Sequence, residues 1–382
     1  MLDAKEFINH ISQCGINSFY GVPDSLLKPF CNELLNLSSS AHQVTTNEGM
    51  AIALAIGNHL ASKKISCVYM QNSGLGNAIN PILSLASSEV YSIPMLMLIG
   101  WRGELLSSTE QIKDEPQHKH QGKVTCKQLQ LLDIPYQVIS NKTPNWRELT
   151  ENLISKSFAE NKPVALVCKK NTFNNVKKQI IDEINDDLIL TREDVVKSIL
   201  NTEKELIPIF STTGMVSREL YENRIAKGEK PIDFYTVGGM GCVSSIALGF
   251  IRSSKHLKQV ICIDGDGSLL MHMGSLFKTA RQKGFIHIIV NNNSHDSVGG
   301  QPTNAFDINF KQLGYSIGYD ECYSTSCKNI FEEILAQVLC DKNKSHLIEV
   351  KVKKGNRENL GRPKEMPKEN KKYFINKWSN NG

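Results

Sequence analysis

The two halves of the chain repeat one order of apolar and polar segments, and this repeat restricts the folds that the chain can adopt. The first copy reads TNEGMAIALAIGNHLASKKISCVYMQNSGLGN, and the second reads TVGGMGCVSSIALGFIRSSKHLKQVICIDGDGS. When the copies are overlaid, Gly57 falls on Gly249, and residues 73–76 fall on residues 264–267. Chance similarity between two α/β units is one explanation, but the shared order of loop, helix, strand and glycine-rich turn favours two diverged copies of one domain.

Strand-like and helix-like segments alternate along almost the whole chain. This alternation predicts an α/β fold with two similar domains, each a mostly parallel sheet with helices on both faces. Thr191 and Asp194 predict a capping box at the start of the helix EDVVKSIL. The predicted organisation is a first domain over 1–170, a linker over 171–190, a second domain over 191–350 and a basic C-terminal segment over 351–382.

Composition argues against several classes of protein. The chain has 382 residues and a net charge of +5, to which the lysine-rich segment after Val350 contributes much. A nucleic-acid or membrane partner would depend on that segment alone, and a solvated basic surface is the simpler interpretation. We expect no signal peptide and no membrane span, because the N-terminus is not apolar and no run of about 18 apolar residues occurs. Ten cysteines without a CxxC pair favour a reducing cytoplasm.

Polar and glycine-rich loops follow four predicted strands of the second half. These loops are STTG (211–214), GGMG (238–241), GDG (265–267) and NNN (291–293). Ligands of parallel α/β sheets bind beyond the carboxyl ends of the strands. Glycines and hydroxyls at a helix N-terminus suit a phosphate, and a carboxylate with a carboxamide oxygen suits Mg²⁺. Because only one carboxylate is present, we expect the ligand to supply further negative charge, as a metal-bridged diphosphate does.

Other phosphate-binding motifs do not match this half. No GxxxxGK[ST] motif occurs, so the chain has no P-loop. The glycines of GGMGCVS do not complete GxGxxG, because the last position is Ser244. A dinucleotide site of the common kind is therefore not expected.

The first half carries a different set of residues at its predicted strand ends. Glu48 lies where a strand-like run passes into a helix, and an ordinary acid at a helix N-terminus would explain it if it stood alone. The loops YGVPDS (20–25), NSGLGN (72–77) and GWRGE (100–104) also follow strand-like runs. The charged stretch KDEPQHKHQG over 113–122 is either a surface loop or a substrate lid, and composition does not separate the two.

Three motifs in this order resemble those of thiamine-diphosphate enzymes. GDGS followed about 25 residues later by NN resembles the signature that holds Mg²⁺ on the diphosphate. NEGMA resembles the glutamate motif of the pyrimidine-binding domain, and GGMG is similar to the loop that bends the cofactor. Further motifs, from GVPDSLLKPF to NNNSHDSVGGQPT and NLGRPKEMP, resemble the phosphonopyruvate decarboxylases nearly end to end. Sulfopyruvate decarboxylases are close relatives of that family.

The resemblance implies a carboxy-lyase with thiamine diphosphate and Mg²⁺ as cofactors. It implies that Asp266 and Asn292 bind Mg²⁺, with Asn293 as the alternative because the family has glycine at that position. A backbone carbonyl at Ser294 or His295 would complete the protein's ligands. Met240 would support the bent cofactor, and the remaining cofactor contacts would come from Thr212, Thr213, Gly238, Gly239, Gly267 and Ser268.

The resemblance also implies roles in catalysis and substrate binding. Glu48 would favour the imino form of the aminopyrimidine and so promote removal of the thiazolium proton. 3-Phosphonopyruvate has two anionic ends, so cationic and donor groups are expected around it. The predicted substrate contacts are Ser25, Arg102, Lys113 and Asp296, and the predicted catalytic groups beside Glu48 are Asp24, His118 and His295.

The implied reaction releases CO₂ and phosphonoacetaldehyde, a step of phosphonate biosynthesis. Decarboxylation of sulfopyruvate, acetolactate-synthase-like carboligation and a non-catalytic binding role are the alternatives. The resemblance further implies a homodimer or larger homo-oligomer with active sites between subunits. We expect no nucleic-acid and no membrane partner.

Overall fold

The computed structural model describes residues 1–107, 109–174, 189–203 and 205–379. The chain forms two compact units, one of residues 1–180 with 298–301 and the other of residues 181–297 with 302–382. The division after residue 180 lies outside the described residues, as does most of the predicted linker 171–190. The predicted domain boundaries therefore stay predictions.

The first unit contains a six-stranded sheet in which neighbouring strands are parallel. Its order is β2-β1-β3-β4-β6-β5. The strands are β1 (Phe19–Gly21), β2 (His42–Val44), β3 (Cys67–Gln71), β4 (Met95–Gly100), β5 (Tyr136–Ile139) and β6 (Pro163–Cys168). The helices are α1 (Ala4–Gln13), α2 (Lys28–Leu34), α3 (Glu48–Ser62), α4 (Leu75–Pro81), α5 (Pro116–Leu131) and α6 (Trp146–Glu160).

The second unit contains another six-stranded parallel sheet, of order β11-β12-β10-β9-β7-β8. The strands are β7 (Ile209–Ser211), β8 (Phe234–Tyr235), β9 (Val260–Gly265), β10 (Phe285–Asn291), β11 (Glu321–Thr325) and β12 (His346–Lys351). The helices are α7 (Arg192–Thr202), α8 (Met215–Ala226), α9 (Val243–Ser253), α10 (Asp266–Met271), α11 (Leu276–Thr279), α12 (Phe310–Ile317), α13 (Lys328–Cys340) and α14 (Pro367–Trp378).

The two sheets have the same topology. When the strands of each unit are counted from its own first strand, the first sheet has the order 2-1-3-4-6-5, and the second has the same order starting from its β8 edge. The sequence repeat therefore reflects two copies of one parallel α/β fold, as predicted. Thr191 and Asp194 also form the predicted capping box, and α7 begins at the next residue, Arg192.

The central strands are buried on both faces, which explains their continuous apolar sequences. Every residue of β4 is buried, and successive side chains point to opposite faces of the sheet. Leu96 and Leu98 belong to one core cluster with Phe30, whereas Met97 belongs to another with Ile52. Helices on both faces cover the sheet, so polar side chains can be placed freely only beyond the strand ends.

The basic C-terminal segment contributes to the core of the second unit. Phe374 and Trp378 of α14 are buried in a cluster with Phe210 of β7, and the rings of Phe374 and Phe210 lie 5.1 Å apart. Lys371 and Lys372 remain exposed on the same helix. The segment is thus a solvated basic surface on one face only. Within the described ranges, no helix is long and apolar enough to cross a membrane.

Candidate functional site

The four predicted loops of the second unit meet in one cleft. They follow β7, β8, β9 and β10, whose strands are neighbours in the order β10-β9-β7-β8. Gly238, Gly239 and Asn293 belong to these loops but do not line the cleft. The predicted site residues that line it are Thr212, Thr213, Met240, Asp266, Gly267, Ser268, Asn292, Ser294, His295 and Asp296.

Ser268 connects three of these loops. Its hydroxyl oxygen accepts hydrogen bonds from the hydroxyl of Thr212 at 2.8 Å and from the backbone N–H of Gly241 at 3.0 Å. Gly241 has a φ of 87°, and a Cβ there would lie 2.5 Å from the ring of His272. Only glycine fits both the backbone conformation and the space. The loops after β7, β8 and β9 are therefore held in one arrangement.

Asp266 is a buried carboxylate at the start of α10. Its Oδ2 accepts a hydrogen bond from the hydroxyl of Thr303. Burial raises the pKa of Asp266 to about 6, although that hydrogen bond and those from backbone N–H groups act to lower it, and nearby Asp296 raises it further. A carboxylate in such surroundings is stabilised as an anion by a bound cation.

The structure distinguishes the two asparagines of the predicted metal loop. Asn292 is buried on the cleft, where its Nδ2 donates to Asp296 at 2.6 Å and its Oδ1 accepts from the N–H of Ser294 at 3.1 Å. Asn293 has a φ of 54°, and its Oδ1 accepts from the N–H of Phe306 at 3.3 Å. The side chain of Asn292 thus borders the cleft, whereas that of Asn293 supports the following loop.

Arg192 lies in the cleft although sequence reasoning did not select it. Its guanidinium donates to Glu219 through Nε at 2.8 Å and Nη2 at 2.9 Å, and through Nη1 to Asp296 at 3.2 Å. The Asp296 carboxylate also accepts from the N–H of Gly355 at 2.9 Å. The sequence contains no signal for this cluster, because its members lie on segments far apart in the chain.

His295 is packed against the glycine of the GDG turn. A Cβ at Gly267 would lie 2.8 Å from Cε1 of His295. Burial lowers the pKa of His295 to about 4, so the imidazole is neutral near pH 7. A neutral imidazole in the cleft can accept a proton.

In the first unit, Glu48 is buried at the first position of α3. The helix is capped by Asn47, whose Oδ1 accepts from the N–H of Met50 at 2.9 Å. Oε2 of Glu48 accepts a hydrogen bond from Nδ2 of Asn77 at 2.7 Å. A Cβ at Gly74 would lie only 2.3 Å from Oε1 of Glu48, so the NSGLGN turn packs directly on this carboxyl group.

Asp24 is fully buried at the ends of adjacent strands β1, β3 and β4. Its carboxylate accepts hydrogen bonds from the N–H of Leu26 at 2.9 Å and from Nε2 of Gln71 at 2.7 Å. Burial raises the pKa of Asp24, although the Gln71 hydrogen bond acts to lower it. A Cβ at Gly100 would lie 2.1 Å from Oδ2 of Asp24, so the glycine that ends β4 makes room for the carboxyl group.

Arg102 is held between two loops. Its Nη1 donates to the hydroxyl of Ser25 at 3.0 Å, while Nε and Nη2 donate to Asp114 at 2.9 and 2.5 Å. Partial burial acts to raise the pKa of Asp114, but the hydrogen bonds and charge of Arg102 hold it well below its usual range. Sequence reasoning missed Asp114 and Gln71. Gln71 is the last residue of β3, so the rule that placed the other candidates at strand ends could have found it.

The charged stretch 113–122 is partly helical. Pro116 begins α5, His118 is buried on that helix, and Lys113 is exposed before it. The backbone carbonyl of His118 would lie 2.2 Å from a Cβ at Gly103, so the stretch packs closely on the loop after β4. The structure therefore brings Asp24, Ser25 and Arg102 into one network and leaves the side chain of Lys113 exposed.

Comparisons with known families agree with this geometry. Residues 4–127 match the family described as thiamine pyrophosphate enzyme, N-terminal TPP binding domain, and residues 212–350 match thiamine pyrophosphate enzyme, C-terminal TPP binding domain. The chain belongs to the thiamine pyrophosphate enzymes. Thiamine pyrophosphate is thiamine diphosphate under another name, so the predicted family is confirmed.

Curated relatives of this thiamine pyrophosphate enzyme include two kinds of decarboxylase. A phosphonopyruvate decarboxylase of Streptomyces viridochromogenes is 28% identical, over 98% of this chain and 94% of that protein. A sulfopyruvate decarboxylase of Methanosarcina acetivorans is 29% identical, over 78% of each chain. The sulfopyruvate decarboxylase subunit beta of Methanocaldococcus jannaschii is 33% identical, over 37% of this chain and 74% of that subunit.

The residues of the cleft fit the diphosphate of thiamine pyrophosphate. The buried hydroxyl oxygen of Ser294 has no hydrogen-bond partner among the described residues, and Ser294 lines the same cleft as Asp266 and Asn292. A buried polar atom without a partner costs free energy that a bound ligand can recover. Carboxylate, carboxamide and hydroxyl oxygens are the donors that a hard divalent cation prefers.

Proposed function

We propose that this enzyme decarboxylates 3-phosphonopyruvate to phosphonoacetaldehyde and CO₂, with thiamine diphosphate and Mg²⁺. That it is a 2-keto acid decarboxylase follows from its two thiamine pyrophosphate domains and its named relatives. The observation that carries the choice of substrate is the similarity to a phosphonopyruvate decarboxylase over 98% of the chain. Sulfopyruvate is the second candidate, because a sulfopyruvate decarboxylase is similar over 78% of the chain.

The proposed metal ligands are Asp266 and Asn292, with Asn293 as the alternative, and a backbone carbonyl oxygen of Ser294 or His295. The position of Asn292 on the cleft and the contacts of the Asn293 side chain with the following loop support Asn292. Mg²⁺ would relieve the unfavourable proximity of the buried carboxylate of Asp266 to the partly buried carboxylate of Asp296. The proposed diphosphate contacts are Thr212, Thr213, Gly267 and Ser268, and the proposed contacts with the rest of the cofactor are Gly238, Gly239 and Met240.

Glu48 is the proposed proton-exchange partner of the cofactor's pyrimidine ring. Bound thiamine diphosphate supplies a carbon nucleophile for the keto group and an electron sink for the electrons that CO₂ leaves behind. Asn77 holds one carboxyl oxygen of Glu48, which fixes the direction of the group, and Gly74 leaves space beside the other oxygen. A buried, oriented carboxyl group can hold a proton at one defined atom.

Arg102 is the proposed contact for the anionic end of the substrate, together with Ser25 and Lys113. Asp114 holds the guanidinium in place, and Ser25 shares one of its N–H groups. Lys113 is exposed, so it can turn toward an anion without losing a buried contact. Asp296 was predicted to bind substrate, but its hydrogen bonds with Asn292, Arg192 and Gly355 favour a role in orienting the metal loop.

Three groups are proposed to move protons near the substrate: Asp24, His118 and His295. Asp24 has a pKa that burial raises, which favours its protonated form and suits a proton donor. His295 is neutral near pH 7, and its pKa of about 4 makes it a weak base that would accept a proton only transiently. His118 is buried on α5, beside the loop that carries Arg102.

CO₂ release from 3-phosphonopyruvate, 3-sulfopyruvate and pyruvate tests the proposed substrate. The assay uses the full chain with saturating thiamine diphosphate and Mg²⁺, and Glu48→Gln as the inactive control. We expect the highest kcat/KM for phosphonopyruvate and a large rise in KM for that substrate in Arg102→Gln. Higher kcat/KM for sulfopyruvate would replace the proposed substrate by the second candidate, and turnover of pyruvate alone would contradict both.

A homodimer or higher homo-oligomer with active sites between subunits is the proposed assembly. Glu48 and Asp266 belong to different units of the chain, and the family arrangement implied by the sequence joins such units from two subunits. Light scattering coupled to size-exclusion chromatography should give at least twice the 42.7 kDa chain mass. The ten free cysteines also support the proposed cytoplasmic location.

A further inference from the structure

His10, Cys14 and Glu151 form a cluster of possible metal ligands that includes none of the residues assigned above to cofactor or substrate. His10 lies on α1, Cys14 is the residue that caps this helix, and Glu151 lies on α6. One ligand atom from each residue lies within 4.8 Å of the other two. Positions i and i+4 share one helix face, so His10 and Cys14 point in the same direction. The proposed decarboxylase mechanism uses none of the three.

The distances suit a tetrahedral ion with little rearrangement. Zinc holds nitrogen and oxygen ligands at about 2.0–2.1 Å and sulfur at about 2.3 Å, so two of its ligands lie roughly 3.4–3.6 Å apart. Nε2 of His10 and an oxygen of Glu151 are already 3.5 Å apart. The Glu151 side chain is 55% exposed, so it is free to rotate toward a shared ion.

The imidazole of His10 is fixed before any ion binds. His10 is 8% exposed, and its ring packs edge-on against Trp146 with centroids 5.1 Å apart. Its Nε2 donates to the carbonyl oxygen of Arg147 at 3.3 Å. A metal would take the place of the Nε2 proton, and the ring would lose little conformational freedom on binding.

The electrostatics of the cluster favour a cation. The Cys14 sulfur lies beside the Glu151 carboxylate, with the ligand atoms of the cluster within 4.8 Å of one another. A thiolate and a carboxylate this close repel each other unless a positive ion lies between them. A bound divalent cation would reverse this effect and deprotonate the coordinating thiol.

We propose that His10, Cys14 and Glu151 bind a zinc-like divalent cation that links α1 to α6. The sulfur ligand selects a borderline-soft ion such as Zn²⁺ over Mg²⁺, which prefers oxygen. On binding, the S–H bond of Cys14 and the N–H bond at Nε2 of His10 break, metal–sulfur, metal–nitrogen and metal–oxygen bonds form, and the Cys14 proton passes to solvent. The displaced imidazole proton moves to Nδ1 by exchange with water, and a water molecule takes the fourth position. Neither the protein nor the ion changes oxidation state.

Titration of the full chain with Co²⁺ tests this site. Saturating Mg²⁺ and thiamine diphosphate are present, so that the oxygen ligands of the cofactor site are occupied. We expect a near-ultraviolet thiolate-to-cobalt charge-transfer band, the visible bands of a four-coordinate ion, and release of one proton per ion. Cys14→Ser should abolish the charge-transfer band, and Glu151→Gln should weaken binding about 10-fold or more.

Cys340→Ser is the matched control, because Cys340 is an exposed cysteine at the end of α13. This variant should bind Co²⁺ as the unchanged chain does. The proposal would be overturned if Cys14→Ser gave the charge-transfer band with the same Co²⁺ affinity as the unchanged chain. It would also be overturned if the unchanged chain gave no such band. Neither result depends on decarboxylase activity, so the outcome is separate from that of the proposed function.

Thermal unfolding with Zn²⁺ gives a second measurement. An ion that binds only the folded state raises Tm with concentration. Zn²⁺ should raise the Tm of the unchanged chain and of Cys340→Ser but not that of Cys14→Ser, whose circular dichroism should show an intact fold. An equal rise in all three chains would mean adventitious binding only and would contradict the site.

Discussion

The two units share one strand order, yet they use the equivalent turn differently. After β9, the turn carries the buried carboxylate Asp266, which borders the ligand cleft. After β3, the overlaid turn carries Leu75, which is buried in the hydrophobic core. The neighbouring Gly74 lies against Glu48 instead, so this turn shapes the surroundings of an acid from another helix. One position of a duplicated fold therefore lines a cleft in one copy and packs in the hydrophobic core in the other.

The two turns also differ in backbone, because the 3₁₀ helix Asn72–Gly74 precedes α4 whereas α10 follows β9 directly. Both turns leave the carboxyl end of a central strand and enter a short helix, α4 in one unit and α10 in the other. An acid at the first position of α10 points to a cleft that can receive a cation, whereas a leucine in the first turn needs apolar neighbours. The different roles of the two turns can therefore be tested with single substitutions.

Glu48→Gln tests the proposed catalytic role of the buried acid in the first unit. Turnover should fall about 10²–10⁴-fold, because an amide cannot exchange the proton. Thiamine diphosphate affinity, measured by calorimetry, should change little, and circular dichroism should be unchanged. Glu110→Gln, at an exposed position, is the control. Near-normal turnover of Glu48→Gln would remove its proposed role.

Asp266→Asn tests the corresponding role in the second unit. Loss of the negative charge should reduce kcat/KM about 10²–10³-fold and weaken Mg²⁺-dependent cofactor binding in parallel. Excess Mg²⁺ should restore part of the activity. Asp307→Asn, at an exposed position of the short 3₁₀ helix Ala305–Asp307 in the same unit, should behave as the unchanged chain does. Unchanged Mg²⁺-dependent cofactor binding by Asp266→Asn would show that Asp266 is not a metal ligand.

Leu75→Asp tests whether the turn of the first unit tolerates the acid that the second unit has at the overlaid position. Leu75 is fully buried among apolar side chains, so a carboxylate there should lower the free energy of unfolding by about 3 kcal/mol. Leu75→Met keeps the volume and should cost less than about 1.5 kcal/mol. Urea denaturation measures both values. Equal stability of the two variants would show that the turn tolerates an acid.

A pair of alanine variants separates the two asparagines of the metal loop. Asn292→Ala should weaken Mg²⁺-dependent cofactor binding about 10-fold or more, because its side chain borders the cleft. Asn293→Ala should have a smaller effect, since its side chain bonds the N–H of Phe306. Calorimetric titration of each variant gives the two affinities. The opposite ranking would assign the metal to Asn293.

Each unit buries a histidine against a tyrosine hydroxyl: His42 with Tyr69 at 2.8 Å, and His287 with Tyr319 at 3.0 Å. Burial lowers the pKa of His42 to about 4, below its unfolded value near 6.5. The unfolded chain therefore binds more protons between these values, and stability should be lost as pH falls from 6.5 toward 4. Between pH 7.5 and 5.5 the loss that comes from His42 alone should be about 1.3 kcal/mol.

Denaturant titrations at pH 7.5 and 5.5 measure this loss. His42→Gln keeps a hydrogen-bonding group near Tyr69 and removes the titration, so its stability should depend less on pH. His59→Gln is the control, because His59 lies near the end of α3 and is not buried. An unchanged pH dependence in His42→Gln would show that other groups cause the acid sensitivity.

Local sequence signals predicted much of the fold and part of the site. Strands that end in glycine, acid or amide residues predicted the cleft, since parallel strands bring their carboxyl ends to one edge. The capping box of Thr191 and Asp194 could be predicted because its two residues are three positions apart in the sequence. The sequence did not predict the contact between Arg192 and Asp296, because 104 residues separate them and both residue types are common on protein surfaces.

Two other features escaped sequence reasoning for different physical reasons. Asp114 lies in a stretch of mixed charges, where composition does not show which acid pairs with Arg102. Helix α14 has few apolar residues among its lysines, so its pattern resembles a solvated helix. Its two buried aromatic rings, Phe374 and Trp378, become evident only when their partners on the second sheet are known.

The packing of α14 also sets an order for folding during protein synthesis. Phe374 lies against Phe210 of β7, the strand that leads into Thr212, and 162 residues are synthesised after β7 before Phe374 is added. The first unit has nearly all of its own residues much earlier. Domains generally fold as units as they leave the ribosome, so the first unit can mature while the second is still being made. A ribosome stalled before α14 would therefore expose the aromatic cluster of a half-finished second unit to chaperones.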